Sequence, residues 1–314
     1  MQDLAKYLQH SQPDLAKIPR DSWFDNSTIE THLDCNRLAW YNYFHHFESK
    51  SAAMSAGTVW HAGLEELHRT NDISKANLFM AREYEKHKEI LQAGASRHAF
   101  GVINEALHEY DKRFSNIPGI DYHIQEFKFA VWMSQNSFCA ESDCVCAPED
   151  PGKCFWLVGR IDGIVAYNND LLLFETKTTS QLGGSYLTGL EMSRQATTYV
   201  YAISKILEKN SWPDKPVKGV LFNIAKLGAK LEFLRHTVLR HKKQLEEFES
   251  ETFRVVSDIR TAWHSHEKPV KNTRSCNRYG ECQFTDLCRV WSGREKLDPP
   301  DLLRNFTKSN WRPF

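Results

Sequence analysis

The residues best suited to chemistry fall within one stretch, 157–179, which reads LVGRIDGIVAYNNDLLLFETKTT. Alternation at Phe155, Leu157, Gly159 and Ile161, then an apolar run over 171–174 bounded by Asn168-Asn169-Asp170, predicts two strands of a β-hairpin. The first strand carries Asp162 and the second carries the triplet Glu175-Thr176-Lys177. Strand residues two apart share a face, so Glu175 and Lys177 point the same way. Two carboxylates and an ammonium in this order suit hydrolysis of a phosphodiester. That reaction needs charge neutralised on the phosphate and a hydroxide generated near neutral pH, and a divalent metal supplies both. Mg²⁺ and Mn²⁺ take oxygen ligands, which makes Asp162 and Glu175 the candidate ligands and the Thr176 carbonyl a further one. Lys177 could orient the water or stabilise charge developing in the transition state. The plainer reading puts Asp162 in a turn and makes Glu175 and Lys177 a solvated pair, since Glu-x-Lys alone is common. The buried-looking run leading into Glu175 and the charged residue ending GRIDG favour the site.

These residues need elements to hold them. Residues 1–120 read as mostly helical, with periodic segments over 73–91 and 100–114. Strands dominate up to 179; a turn at Gly183-Gly184 precedes a helix over about 191–208, and strands over 217–225 and 231–238 form a hairpin through Gly228. A helix over 241–264 leads into a cysteine-bearing segment. The order predicts an α/β core, a small mixed sheet flanked by helices. Three consecutive regions are expected: 1–120, an N-terminal helical region; 121–240, the core; and 241–314, a C-terminal helix and cysteine segment.

Composition narrows the class. An apolar fraction of 41% with 12% aromatic residues supports a sizeable core, and no stretch approaches the roughly 20 apolar residues that span a bilayer. Lys and Arg number 40 against 40 Asp and Glu, so nucleic-acid binding would have to use local charge. Such a region exists over 213–243, where Lys215, Lys218, Lys226, Lys230, Arg235, Arg240, Lys242 and Lys243 outnumber Asp214 and Glu232. It reads either as a solvated face or as a phosphate-contacting wall. No GxxxxGK[ST] loop is present, so no ATP-driven motor belongs to this chain.

Gly159-Arg160-Ile161-Asp162, then Glu175-Thr176-Lys177, then Gln195-Ala196-Thr197-Thr198-Tyr199 resemble the ordered signature of the PD-(D/E)xK nuclease superfamily in its RecB-type branch. Gln195 and Tyr199 stand one helical turn apart on one face. The resemblance covers about 30–290 and implies a restriction-endonuclease-like core. It implies that Gln195 and Tyr199 contact or frame DNA, although Tyr199 alone reads equally as a core aromatic. It also makes His61, in GTVWHAGLE at the start of a predicted amphipathic helix, a metal ligand, and an imidazole ligand would favour Mn²⁺ over Mg²⁺. Glu126, on the predicted strand IQEFKFAV, is a further acidic candidate.

The cysteines form two groups. Cys276, Cys282 and Cys288 lie near the C-terminus, and Cys35 lies upstream. RecB-type nucleases with an iron-sulfur cluster take one cysteine before the core and three after it, so the resemblance implies a C-terminal 4Fe-4S clasp on these four. Four thiolates can also hold zinc, but the two Cys-x-x-Cys knuckles usual in structural zinc sites are absent. Cys139, Cys144, Cys146 and Cys154 fall in a polar insertion and read as free thiols or as a zinc site. With no charged-then-apolar leader, a reducing, cytoplasmic setting in a bacterial or phage-infected cell is expected.

The resemblance thus implies a metal-dependent DNA exonuclease, acting on single-stranded ends beside a helicase, recombination or CRISPR-adaptation partner. Two rivals remain: a non-catalytic DNA-binding or assembly subunit, and an RNA-processing enzyme of the same fold.

Overall fold

The computed structural model describes residues 22–48, 51–114, 120–135, 154–210, 216–228, 230–265, 268–277, 281–290 and 306–308, together with Leu4, Leu8, Pro13, Asp14, Lys17 and Ile18. In chain order the elements are β1 (Trp23–Asp25), α1 (Asn26–Asp34), α2 (Asn36–Ala39) with a π turn over Trp40–Phe44, and β2 (Phe47–Glu48). Then come α3 (Ala52–Thr70), α4 (Ile73–Lys86), α5 (Lys88–Gln92), α6 (Phe100–Phe114), β3 (Ile120–Ser134), β4 (Cys154–Tyr167) and β5 (Asp170–Thr179). The rest are α7 (Gly184–Glu191), α8 (Arg194–Lys209), β6 (Val217–Lys226), β7 (Glu232–Leu239), α9 (Lys242–His264), α10 (Thr285–Val290) and β8 (Thr307–Lys308). The class is α/β, a mixed sheet flanked by helices, as expected. Among the described residues no helix is long and apolar enough to cross a membrane.

The chain divides into two compact units, each built from three separate stretches. The first comprises Met1–Ser11, Lys50–Lys128 and Arg160–Lys242; the second comprises Gln12–Ser49, Phe129–Gly159 and Lys243–Phe314. These units cut across the three consecutive regions expected from the sequence. Each unit draws on all three regions, and β3 and β4 each contribute residues to both units.

In the first unit the sheet runs β4-β5-β6-β7, with β3 also on β4. Antiparallel β4–β5 and β6–β7 pairs flank a parallel β5–β6 pair. β5 is thus interior, which explains why its 171–174 segment is a continuous apolar run rather than an alternating one. The parallel step from β5 to β6 needs a crossover, and α7 and α8 supply it. Helices α3, α4 and α6 contribute Trp60, Met80, Leu107 and Tyr110 to a core that includes Phe233 of β7. At Gly219 on β6 any Cβ would run into the Val238 backbone, so only glycine allows β7 to pair there.

In the second unit β1 lies parallel to the first half of β4, with Trp23 opposite Trp156. Asp25 caps α1 by accepting the Thr28 N–H at 2.8 Å. Phe253 of α9 meets Phe155 edge to face, and the Phe129 ring covers Gly159 where a side chain would stand. Trp40, Tyr41, Phe47, Phe284 and Leu287 form a separate aromatic core.

Three expected boundaries shift. The segment over 73–91 is two helices broken at His87, whose N–H bonds back to Tyr84 O at 2.9 Å and closes α4. Glu191 ends α7 instead of starting the Gln195 helix, because Ser193 takes an extended backbone and caps α8 through the Ala196 N–H. Gly183-Gly184 is therefore no free turn: Gly183 is the N-cap residue and Gly184 opens α7.

Candidate active site

A two-residue turn sets the site's register. Asn168 and Asn169 both adopt left-handed backbone, φ 48° and 69°, between the paired residues Tyr167 and Asp170. Asparagine tolerates that conformation, and such a turn matches the twist of a hairpin. The register counted back from it, with Gly163 opposite Phe174, brings Asp162 beside the Glu-x-Lys triplet. Asp162 Oδ2 accepts the Thr176 N–H at 2.7 Å.

Glu175 and Lys177 share one face of β5, and Lys177 Nζ donates to Glu175 Oε1 at 2.9 Å. Lys177 Nζ also donates to Gln195 Oε1 at 2.6 Å. The Gln195 amide donates to Glu175 Oε1 at 2.9 Å and to the Tyr199 hydroxyl oxygen at 2.8 Å. Gln195 and Tyr199 thus belong to the carboxylate and lysine network itself, a partnership that spacing alone did not show. Glu175 is 4% exposed, and its second oxygen, Oε2, is buried without a hydrogen-bond partner. An orphaned carboxylate oxygen in a polar cluster marks a place where a ligand belongs.

His61 lies in the middle of α3, not at its start, because the helix begins nine residues earlier under a Ser51 cap. Its Nδ1 stands 3.4 Å from Asp162 Oδ2. Burial alone would lower the His61 pKa, but Asp162, with Glu175 beyond it, carries it above the ordinary value. Burial would raise Asp162, yet His61, the Thr176 N–H and Lys177 hold it below the usual carboxylate value. Glu175 goes the other way: burial raises it to about 7, with Lys177 pulling down and Asp162 adding to the rise. Lys177, which burial would lower, is raised by Glu175 and Asp162 and stays charged near neutrality.

The donor set fits a hard divalent cation: two carboxylates, one with an unused oxygen, and an imidazole of raised basicity. As the side chains stand, no group of three or more His, Cys, Asp or Glu among the described residues converges as a metal cage.

The raised Glu175 has a measurable consequence for the metal-free protein. Between 4.5 and about 7 the folded state holds a proton that the unfolded state has lost, so stability declines as pH rises through that window. Glu175→Gln removes this dependence. Its melting temperature in EDTA should vary less between pH 5 and pH 8 than that of wild type, and equal slopes would contradict the assignment of a raised Glu175.

Beside Asp162 lies a cavity of about 50 Å³ lined by His61, Glu65, Tyr122, Arg160 and Thr176 among others, with room for about one or two waters. Glu126 also lines it and pairs with Arg160 at 3.1 Å, so the further acidic candidate stands next to the site. The sequence reading missed His68, which is also in the lining. Burial and Arg235 push its imidazole down to about 3, and its Nε2 lies 3.2 Å from the Tyr110 hydroxyl and 3.3 Å from that of Tyr122. Its signal was present: His68 stands seven residues, two turns, after His61.

A sequence model described as the PD-(D/E)XK nuclease superfamily matches residues 26–289, most of the chain. The chain belongs to the PD-(D/E)XK nuclease superfamily. No curated protein matches it. A solved structure from Eubacterium rectale, provisionally named an exonuclease, aligns over 86% of this chain and 88% of that one at 12% identity with a TM-score of 0.49. The crystal structure of SSO0001 aligns over 80% and 84% at 12% identity with a TM-score of 0.29. Neither likeness bears weight beside the superfamily match. Membership makes the chain a nuclease, and PD-(D/E)XK nucleases typically use divalent metals such as Mg²⁺ or Mn²⁺.

The basic run of this nuclease is not a bank of free cations. Lys218 pairs with Asp170 and Lys226 with Glu232, each at 2.6 Å, and Lys230 reaches Glu232 at 3.8 Å. Arg235 lies over the Phe114 ring at 4.0 Å, while Lys215 is outside the described residues.

In the second unit Cys35, Cys276, Cys282 and Cys288 are all free and half-buried. Burial raises the Cys282 thiol, and Cys276, Cys35 and Cys288 are near enough to raise it further. Donors already point at two of the sulfurs: Asn272 N–H at 3.3 Å from Cys35 Sγ and Arg37 Nη1 at 3.5 Å from Cys288 Sγ. Cys154, buried at the start of β4, is disulfide-bonded and so is not the free thiol or zinc ligand it could have been. Cys139, Cys144 and Cys146 lie outside the described residues.

Proposed function

We propose that this chain is a metal-dependent deoxyribonuclease of the RecB-type branch, an exonuclease acting on single-stranded DNA ends, with a structural 4Fe-4S cluster. The observation that carries the catalytic part is the orphaned Oε2 of Glu175 beside a charged Lys177. Asp162, Glu175 and His61 would hold Mn²⁺ or Mg²⁺, with the Thr176 carbonyl available. The cation when bound neutralises phosphate charge and lowers the pKa of water. Lys177 has three N–H donors, two already given to Glu175 and Gln195. The third is left for the attacking water or a phosphate oxygen. Gln195 accepts from Lys177 and donates to Glu175 and Tyr199, so its amide orientation is fixed and it holds Lys177 against Glu175. Cys35, Cys276, Cys282 and Cys288 would ligate the cluster, with Arg37 and Asn272 as donors to its sulfurs. Superfamily membership supports DNA as substrate. We place the enzyme in the cytoplasm of a bacterial or phage-infected cell, beside a helicase, recombination or CRISPR-adaptation partner.

The test is cleavage of end-labelled single-stranded DNA by protein purified without oxygen, with Mn²⁺ or EDTA, comparing wild type with Glu175→Ala. Shortening with Mn²⁺ alone, lost in the variant, is the expected result. No shortening by folded, iron-loaded wild type would move the chain to the alternative, a non-catalytic DNA-binding or assembly subunit. Equal cleavage of matched RNA would remove the DNA specificity.

A further inference from the structure

We propose that Arg240 is a positioning residue for this site: its guanidinium locks the corner between α7 and α8 so that Gln195 holds Lys177 and Glu175 in place. The inference rests on the nuclease reading and adds a residue to it.

Arg240 follows β7, and its backbone N–H bonds to Lys218 O at 3.0 Å, which anchors it to the edge of the sheet. Its side chain spends four contacts on the protein. Nη1 donates to Leu239 O at 2.8 Å, Nε to Thr197 Oγ1 at 2.7 Å, and Nη2 to Glu191 O at 2.9 Å and Ser193 O at 3.0 Å. Glu191 is the last residue of α7, and Ser193 is the N-cap residue of α8. One planar group therefore grips the end of one helix, the cap of the next and a hydroxyl in its first turn. Gln195 is the second residue of α8, within that same turn. Its amide must meet Lys177, Glu175 and Tyr199 together, all within 2.6–2.9 Å, so a small rotation of the corner would break the set.

The same residue belongs to the basic run that reads from sequence as a solvated face or a phosphate-contacting wall. The geometry opposes that role, because the guanidinium donors face backbone carbonyls and a threonine hydroxyl. Lysine could not substitute, since an ammonium lacks the fixed fork that reaches three partners at once.

The experiment compares Arg240→Ala, Arg240→Lys and the milder Thr197→Val with wild type, alone and in a Gln195→Ala background. Arg240→Ala and Arg240→Lys should each lower kcat by about 10- to 100-fold, the cost of a displaced catalytic group. KM for single-stranded DNA and the salt dependence of binding should stay as in wild type, and Thr197→Val should show a smaller loss. In the Gln195→Ala background, Arg240→Ala should cost less than about twofold more, because the residue it serves is gone. Weaker DNA binding with a shallower salt slope would assign a phosphate contact instead and overturn the proposal. An undiminished loss in the Gln195→Ala background would reduce Arg240 to general stability and also overturn it. Should wild type not cleave, the nuclease reading falls, yet the positioning claim is still read from the Gln195 side-chain amide in ¹⁵N-labelled protein. Arg240→Ala should move that resonance toward the shift of a free glutamine, and an unmoved resonance overturns the proposal.

Discussion

Lys177→Met is expected to lower cleavage by at least about 10³-fold while the protein stays folded, the scale of losing a principal donor to transition-state charge. Methionine keeps an unbranched stem and removes the ammonium. Removing one partner of a buried pair typically costs about 3–5 kcal/mol, because the other charge is left unpaired. Glu175 has a way to avoid that cost. Its pKa already sits at about 7, and without Lys177 it rises further, so at pH 6 the carboxyl is protonated and the pocket stays neutral. The variant should therefore melt close to wild type at pH 6 and fall away from it at pH 8, because its higher Glu175 pKa lets stability go on declining with pH after wild type has levelled off. Cleavage should be absent at both. Melting curves in EDTA at the two pH values and a single-turnover cleavage assay read these effects separately. Undiminished cleavage by folded Lys177→Met would remove Lys177, and with it the Gln195 bridge, from the chemistry.

What the sequence made legible was whatever depends on local pattern. The apolar runs on either side of Asn168-Asn169-Asp170 placed Asp162 and Glu175-Thr176-Lys177 on neighbouring strands of a hairpin, while the two-residue turn and the register that bring them side by side come from the fold. The helix over 100–114 and the strand from 217 were readable for the same reason, a clean period closed by recognisable ends. An interruption of one or two residues is invisible to periodicity, which is why His87 and the Glu191 to Ser193 corner passed as helix. What stayed hidden was tertiary. Nothing near Arg240 in the chain hints that it bonds to Glu191, Ser193 and Thr197, more than forty residues away. Gln195 and Tyr199 were found through the family resemblance, with spacing adding only that they share a helix face, and their partners on β5 needed the parallel crossover to be folded. The resemblance offered DNA contact for them, while the structure shows a network around Glu175.

Cys282→Ala carries the second large expected effect, on stability rather than turnover. The Cys282 N–H bonds to Cys276 O at 2.8 Å, and its own carbonyl accepts the Thr285 hydroxyl at 2.7 Å, so this residue sits where the C-terminal thiol segment folds back on itself. Both Cys282 and Cys288 pack on the core of Trp40, Tyr41, Phe47, Phe284 and Leu287. When the thiols are unligated, that packing and a few hydrogen bonds, such as Ser275 Oγ to Asp34 O at 2.8 Å, must hold the segment. Ligation together with Cys35 would close a loop spanning most of the chain, and such a closure restricts the unfolded state by about 5 kcal/mol on a chain-entropy estimate. Anaerobically purified wild type should therefore carry iron, absorb in the visible range and melt well above Cys282→Ala, which should lose both iron and several degrees of stability. Zinc in place of iron would keep the stabilisation and remove the absorbance, assigning the four thiols to a single ion. Equal melting of wild type and variant, with neither metal bound, would show that the four cysteines are packing residues and that Arg37 and Asn272 donate to ordinary thiols.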